Sequence, residues 1–164
     1  MLKSITPEDK KEWIKLNEEF MLYEYEDENE WINPLKFGCL EEDFENIING
    51  VTATNSFMIL NENEESIGFI TTHIIYSSWA HGKVILVEDF FIKEKERNKK
   101  YGEKTIQCLE DYSIKNDIKL ILIMAENTNP KAIKFYEKMN YKRQEINFLF
   151  KYNLDKCYSK NIVR

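Results

Sequence analysis

A chain of 164 residues has room for one domain with a sizeable core. Hydrophobic residues make up 43% and charged residues 32%, with 5 Gly, 3 Pro and a mean hydropathy of −0.55, a composition that excludes collagen-like repeats, low-complexity disorder and membrane spans. The net charge of −6 and pI near 5.1 exclude a sequence-independent nucleic-acid binder, which needs a dominant basic surface.

The N-terminus, MLKSITPEDKKEW, has no apolar core followed by small residues, so neither export nor membrane insertion is signalled and a cytoplasmic location is expected. Cys39, Cys108 and Cys157 are far apart and without CxxC or nearby His spacing, which points to neither a disulfide framework nor a metal site. His73 and His81 lie in or just after a strand-like run with no recognisable triad context, so both are expected to be structural.

In chain order, residues 2–5 read as a short strand, and Thr6-Pro7-Glu8-Asp9 as a helix start with a capping Thr, Pro at the first position and two acids on the dipole. Trp13, Ile14, Leu16, Phe20 and Met21 then recur at helical spacing and form a core stripe. From Glu24 to Glu30 like charges accumulate and Asn33-Pro34 breaks the chain, so a loop is expected. A second helix spans about residues 41–49, burying Phe44, Ile47 and Ile48 and stopping at Gly50. Strands follow over 56–60, 67–76 and 84–92, joined by short turns as an antiparallel meander. A helix over 102–116 with Ile106, Leu109 and Tyr112 inward, a continuous apolar strand over 118–125 and a helix over 130–139 come next. A buried strand between two helices predicts a βαβ crossover, parallel to the strand ending at Ile92. Residues 141–154 close with one or two strands. No internal repeat or linker interrupts the chain, so residues 1–164 read as one α/β domain, a mixed and mostly antiparallel central sheet flanked by helices.

Chemistry is concentrated where the strand ending at Ile92 meets the next helix. Arg97 and the lysines of residues 92–103, Lys99 and Lys100 among them, crowd a helix N-terminus, the end of the macrodipole that disfavours cations. A bound phosphate would resolve the conflict through free first-turn amides, the dipole and these side chains. The alternative is a solvated loop of alternating Lys and Glu. A Walker A loop and a GxGxxG fingerprint are both absent.

Here the sequence resembles the GNAT superfamily of N-acetyltransferases, which carry a loop R/Q-x-x-G-x-G/A after their fourth strand. Arg97, Asn98, Lys99, Lys100, Tyr101 and Gly102 match it, after a fourth-strand-like run from Val87 to Ile92. Residues 129–141 resemble the family's second motif, N-x-x-A-x-x-F-Y-x-x-x-G-F, with Asn129, Ala132, Phe135 and Tyr136 in register. Lys100 and Asn140 stand where the pattern has glycine. The resemblance implies acetyl-CoA as cosubstrate, its pyrophosphate held by residues 97–103, Glu103 included, its pantetheine arm by Phe91, Ile92 and Asn129, and its wall lined by Ala132 and Phe135. It also implies Tyr136 as the acid that protonates the departing thiolate.

An alkylamine with a pKa of about 10.4 is almost wholly protonated at neutral pH and needs a base before it can attack a thioester. Glu88 and Asp89 are the candidates, and since adjacent strand residues face opposite sides, at most one is expected in a given cleft. By resemblance to the family's diamine acetyltransferase branch, Glu88 is the base or water-orienting group and Asp89 lies on the acceptor side. In this family the region between the first two helices helps form the acceptor site. Here it includes Tyr25, Glu26, Asp27 and Glu28, a surface that attracts a cationic amine through charge and ring faces, unless it is a solvated acidic loop. The expected activity is acetyl transfer to a primary amine, of a polyamine or aminoglycoside or of a lysine-bearing or N-terminal protein acceptor. The other reading is a non-catalytic acyl-CoA-binding sensor. A homodimer is compatible with either, and neither involves a nucleic acid, a membrane or a metal.

Overall fold

The computed structural model describes residues 1–28 and 39–146, without the side chains of 25–28. The elements are β1 (Leu2–Ser4), α1 (Lys10–Glu28), α2 (Leu40–Ile48), β2 (Thr54–Leu60), β3 (Ser66–Ser77), β4 (Gly82–Ile92), α3 (Tyr101–Lys115), β5 (Ile118–Ile123) and α4 (Pro130–Lys138). Short 3-10 turns at Pro7–Asp9 and Glu94–Glu96 precede α1 and α3. At the first, Asp9 Oδ2 accepts from both the Thr6 backbone N–H and the Thr6 hydroxyl at 2.8 Å, so the expected helix start is present with its acid facing the dipole. Among the described residues, no helix is long and apolar enough to cross a membrane.

The described backbone divides into two compact units, residues 1–28 with 39–124, and residues 125–146. The first holds a 5-stranded sheet in the order β1-β2-β3-β4-β5. Its pairings are antiparallel from β1 through β4 and parallel between β4 and β5, with α3 as the crossover the sequence predicts. Trp13 and Leu16 of α1 and Leu40 and Phe44 of the α2 segment pack with Met58, Phe69 and Phe91 on one face of the sheet. On the other, Ile70, Ile85 and Val87 pack with Leu109 of α3. Each such fully buried aliphatic or aromatic side chain contributes about 1.5–3 kcal/mol, so the sheet is clamped from both sides.

In three places the fold departs from expectation. First, α1 does not yield to a loop at Glu24 but continues to Glu28. Glutamate propagates a helix well and no Gly or Pro interrupts this stretch. The Tyr23 ring also anchors the last turns, 6.4 Å from the Phe91 ring and 4.5 Å from the Arg97 guanidinium. Residues 29–38, with the expected break at Asn33-Pro34, lie outside the described residues. Second, among the described residues β5 pairs with β4 alone, and Leu120, Leu122 and Met124 are 43%, 41% and 38% exposed. An apolar run alone does not distinguish a central from an edge position. Tyr112 likewise stays 36% exposed, edge-on to Phe57 at 6.1 Å. Third, residues 141–146 form no strand, and the rest of the predicted closing strands, 147–154, lies outside the described residues.

In the second unit, α4 starts with Asn129 Oδ1 accepting from Ala132 N at 3.0 Å and Pro130 in the first turn. It ends where Asn140 takes φ +65°. Asn140 N–H donates to Glu137 O and Tyr141 N–H to Tyr136 O, both at 3.0 Å, the paired bonds of a Schellman turn. The Tyr136 and Tyr141 rings meet across it at 6.1 Å. Asparagine therefore serves where the family motif has glycine, as its tolerance of left-handed backbone predicts.

A tight backbone approach lies at the end of β4. Gly68 pairs with Ile92, and a Cβ on Gly68 would stand 2.1 Å from Phe91 O. Gly68→Ala must push β3 from β4, and chemical denaturation should register a loss of about 2–3 kcal/mol. A loss below about 0.5 kcal/mol would show that the two strands part without cost.

Candidate active site

The site is built around an irregularity in β4. Thr71 pairs with Asp89 and Thr72 with Val87, so Glu88 is an extra residue without a cross-strand partner, a β-bulge. The bulge resets the alternation of side chains. Val87 faces α3 and Phe91 faces α1. Asp89, two residues before Phe91, lies on the α1 face. His73 alternates with Ile74, which packs on the α3 face, so His73 also lies on the α1 face, and its Nε2 is 2.5 Å from Glu88 Oε2. Both carboxylates therefore serve one face. The expectation that only one could do so assumed a regular strand.

The neighbours of this pair set its charge. Asp89 is partly buried, and burial together with the negative Glu88 and Glu24 pushes its carboxyl up to about 7, against the opposing pull of a Thr71 hydrogen bond and of His73. On the far side of His73, Nδ1 lies 3.1 Å from Thr54 Oγ1. From sequence alone His73 is expected to be structural, and nothing local links it with Glu88. The signal available was register: with Thr72 placed opposite Val87, His73 falls beside the bulge.

Past the bulge, β4 and β5 part. Their pairing ends at Val87 and Ile123, with Met124 N–H donating to Val87 O at 3.1 Å, while β4 continues along β3 to Ile92. Lys93 N–H donates to Ile67 O at 2.9 Å, which fixes the antiparallel alternation. Phe91 bonds across to Phe69, and the backbone groups of Phe90 and Ile92 turn toward the other edge. Of the two residues expected to hold an extended ligand by backbone bonds, Ile92 turns its N–H to that edge, while its carbonyl accepts from Arg97 Nε at 2.9 Å. Phe91 has its backbone committed to β3 and its side chain to the core, 3% exposed.

Residues 97–103 form the expected strand-to-helix corner. Asn98 and Lys100 have φ of +64° and +66°, the left-handed backbone for which the family pattern has glycine at position 100, at a cost of roughly 1–2 kcal/mol for an L-residue. Lys100 is the N-cap of α3 and its own side chain makes no capping hydrogen bond, and the first-turn amides of Tyr101 and Gly102 point out of the helix end. Alternating left-handed residues before such an end make an anion-binding concavity. The Lys100 side chain is exposed.

Not every cation here is turned to that end. Arg97 Nε donates to Ile92 O at 2.9 Å and its guanidinium lies over Tyr23, bracing the corner against α1. Lys99 pairs with Glu96 at 3.0 Å. Tyr101 Oη donates to Glu62 Oε2 and Lys104 Nζ to Glu62 Oε1 at 2.8 Å. These two donors hold the Glu62 carboxyl down to about 2, and the hydrogen bond that Tyr101 gives to Glu62 pushes its phenol up to about 12.

In the second unit, the Asn129 carbonyl oxygen caps α4 and Ala132 supplies the amide it binds. Phe135 and Tyr136 stack edge-on at 5.1 Å. Burial raises the Tyr136 phenol above its ordinary range, so it keeps its proton at neutral pH. Residues 25–28 continue α1 as helix, not as the acidic loop expected.

These residues fit acetyl-CoA: a helix end with outward first-turn amides behind a left-handed Lys100, and a strand edge turned outward at Ile92. The chain belongs to the Acetyltransferase (GNAT) family, a family of N-acetyltransferases whose model matches residues 9–141. It is 30% identical over 84 residues to the uncharacterized N-acetyltransferase YhfO of Bacillus subtilis (strain 168), a match that spans 51% of this chain and 56% of that protein. Its fold is similar to that of a tetramutant of the BH1408 protein from Bacillus halodurans, with a TM-score of 0.77 at 14% identity, covering 92% of this chain and 99% of the other. An aminoglycoside acetyltransferase, meta-AAC0020, from an uncultured soil metagenomic sample in complex with sisomicin also shares the fold. Its TM-score is 0.69 at 16% identity over 94% of this chain and 96% of that one.

The raised Asp89 carboxyl makes stability depend on pH. An acid whose folded pKa of about 7 exceeds its ordinary value of 3.8 binds more protons folded than unfolded between those values, so it destabilises the fold as pH rises through that window. Asp89→Asn removes the charge. Its Tm should exceed that of the parent at pH 8 and match it near pH 4; an equal difference at both values would show that Asp89 titrates alike in both states.

Proposed function

We propose that this protein is an acetyl-CoA-dependent N-acetyltransferase that passes an acetyl group directly to a primary amine of a cationic small molecule, such as a polyamine or an aminoglycoside, in the cytoplasm. The observation that carries the reading is the bulge at Glu88, which sets a carboxylate beside the strand edge that β5 has left. The aminoglycoside acetyltransferase among the similar folds and the acidic run Glu24–Glu28 support a cationic acceptor. The family match from 9 to 141 runs through both compact units, which supports their acting as one domain over residues 1–164.

In this reading the cosubstrate supplies an activated acetyl thioester. The backbone edge at Ile92 holds its extended arm as an added strand. Its phosphates lie on the amides of residues 101–103, with Asn98, Lys99 and Lys100 beside them; Arg97 keeps the corner in shape. Asn129, Ala132 and Phe135 of α4 contribute to the wall. Glu88 takes a proton from the ammonium group of the acceptor: an N–H bond breaks, an O–H bond forms, and the electron pair stays on nitrogen for the attack on the thioester carbon. As the C–N bond forms and the C–S bond breaks, Tyr136, protonated at neutral pH, gives its proton to the departing thiolate and is reprotonated by the second N–H proton that the nitrogen sheds as the amide forms. Tyr25, Glu26, Asp27, Glu28 and Asp89 attract and orient the cationic acceptor.

Thermal unfolding with and without acetyl-CoA, followed by thiol release against a panel of amines, tests this reading. A ligand selective for the native state at a hundredfold excess over Kd stabilises by about 2.7 kcal/mol. The expected result is a raised Tm and thiol release with at least one polyamine or aminoglycoside. In Tyr136→Phe, kcat should fall about a hundredfold while the thermal shift persists. No shift at saturating acetyl-CoA would overturn the reading, and full turnover in Tyr136→Phe would remove that residue from the mechanism.

A further inference from the structure

Glu88 combines two features that pull against each other. As the extra residue of a bulge it has no cross-strand neighbour to hold it, and its side chain is 46% exposed, a setting in which a carboxylate samples several rotamers. Yet Oε2 sits 2.5 Å from His73 Nε2, and His73, only 26% exposed, is itself tied through Nδ1 to Thr54 Oγ1 at 3.1 Å. Thr54 and His73 are direct partners in the β2–β3 register, so the sheet fixes this second contact. The result is a chain of three side chains, from β2 through β3 to β4, ending on the one carboxylate that the bulge leaves loose.

We propose that His73 and Thr54 are positioning residues for Glu88, holding its Oε2 so that Oε1 is presented to the acceptor amine; this rests on Glu88 being the base proposed above. The chemistry of the donors gives the direction. An ionised carboxylate can only accept, so Nε2 must carry the proton. In the neutral imidazole Nδ1 then accepts from the Thr54 hydroxyl. In the imidazolium the same hydroxyl turns and accepts from Nδ1–H. Thr54 serves both states because a hydroxyl both donates and accepts, so the hold on Glu88 survives a change in the charge of His73. The other acids around this cluster are Asp89 on β4, which takes its own hydrogen bond from Thr71, and Glu24 on α1. The alignment gained is of the kind that matters most for proton transfer, where a misplaced base loses rate and not substrate affinity.

Steady-state kinetics with the amine that supports thiol release test this, using His73→Ala and His73→Gln in the parent and in Glu88→Gln. His73→Ala should lower kcat at least tenfold and leave the KM for acetyl-CoA within twofold. His73→Gln, whose amide can still donate to Glu88, should recover part of the loss. In the Glu88→Gln background His73→Ala should change kcat by less than twofold, because its target is gone. An equal loss in both backgrounds, or no loss in either, would overturn the proposal.

A second measurement is independent of turnover. Nitrogen-detected NMR of the imidazole at pH 8 should show His73 with its proton on Nε2, shifted downfield and slow to exchange, and this signal should vanish in Glu88→Ala. A proton on Nδ1 alone, or an unchanged signal in Glu88→Ala, would refute the contact itself. If no amine supports thiol release in the parent protein, the acetyltransferase reading fails, and the NMR result still decides whether His73 holds Glu88.

Discussion

A strand with one residue too many opposite its partner must bend and lose its alternation, and everything distinctive in this site follows from that constraint at Glu88. Without the bulge, Asp89 and Phe91 would share a face with Val87, toward α3. With it, Phe91 closes the core under α1 while Asp89 and Glu88 open on the same side. The same segment is where β5 stops following β4. A parallel neighbour would otherwise occupy the edge that Ile92 turns outward. One insertion therefore sets both the acid cluster and the exposed backbone edge, and the two lie within residues 88–92.

The corner at residues 97–103 obeys a different constraint. Lys100 holds left-handed backbone at φ +66° with no glycine to make it cheap. The strain is met by the surroundings: Arg97 is bonded to Ile92 O and lies over Tyr23, and Glu62, in the turn between β2 and β3, grips Tyr101 and Lys104 of the first helical turns. These anchors use cations that a sequence reading would assign to an anionic ligand. At the helix end the amides of Tyr101 and Gly102 remain beside the exposed Lys100 side chain, a smaller but better defined place for the proposed anion.

Much of the fold was legible because periodicity and turn chemistry agree along the chain. The capping Thr6, the meander over β2 to β4, the parallel return of β5 and the left-handed Asn140 all follow from local residue types. Two things were not legible. Helix α1 persists through Glu24–Glu28 on the helix propensity of glutamate, and the extent of the helix is reinforced by Tyr23 packing on Arg97 and Phe91, residues more than 60 positions away, a contact that no local rule contains. The partnership of His73 with Glu88 depends on a bulge, and a bulge leaves no reliable mark in one sequence: Glu-Asp within an apolar strand reads equally as regular alternation. The candidate residues were found by motif, whereas the way they work together is set by register.

The central claim is that the edge of β4 at Ile92 and the amides opening α3 receive one ligand together. Amide hydrogen exchange followed by NMR, with and without saturating acetyl-CoA, reads it directly. Exchange should slow at Ile92 and at Tyr101, Gly102 and Glu103, while the buried amides of Ile70 and Ile85, already sealed in the sheet, should not change. Unaltered exchange at Ile92 and at the start of α3 under saturating acetyl-CoA would contradict it.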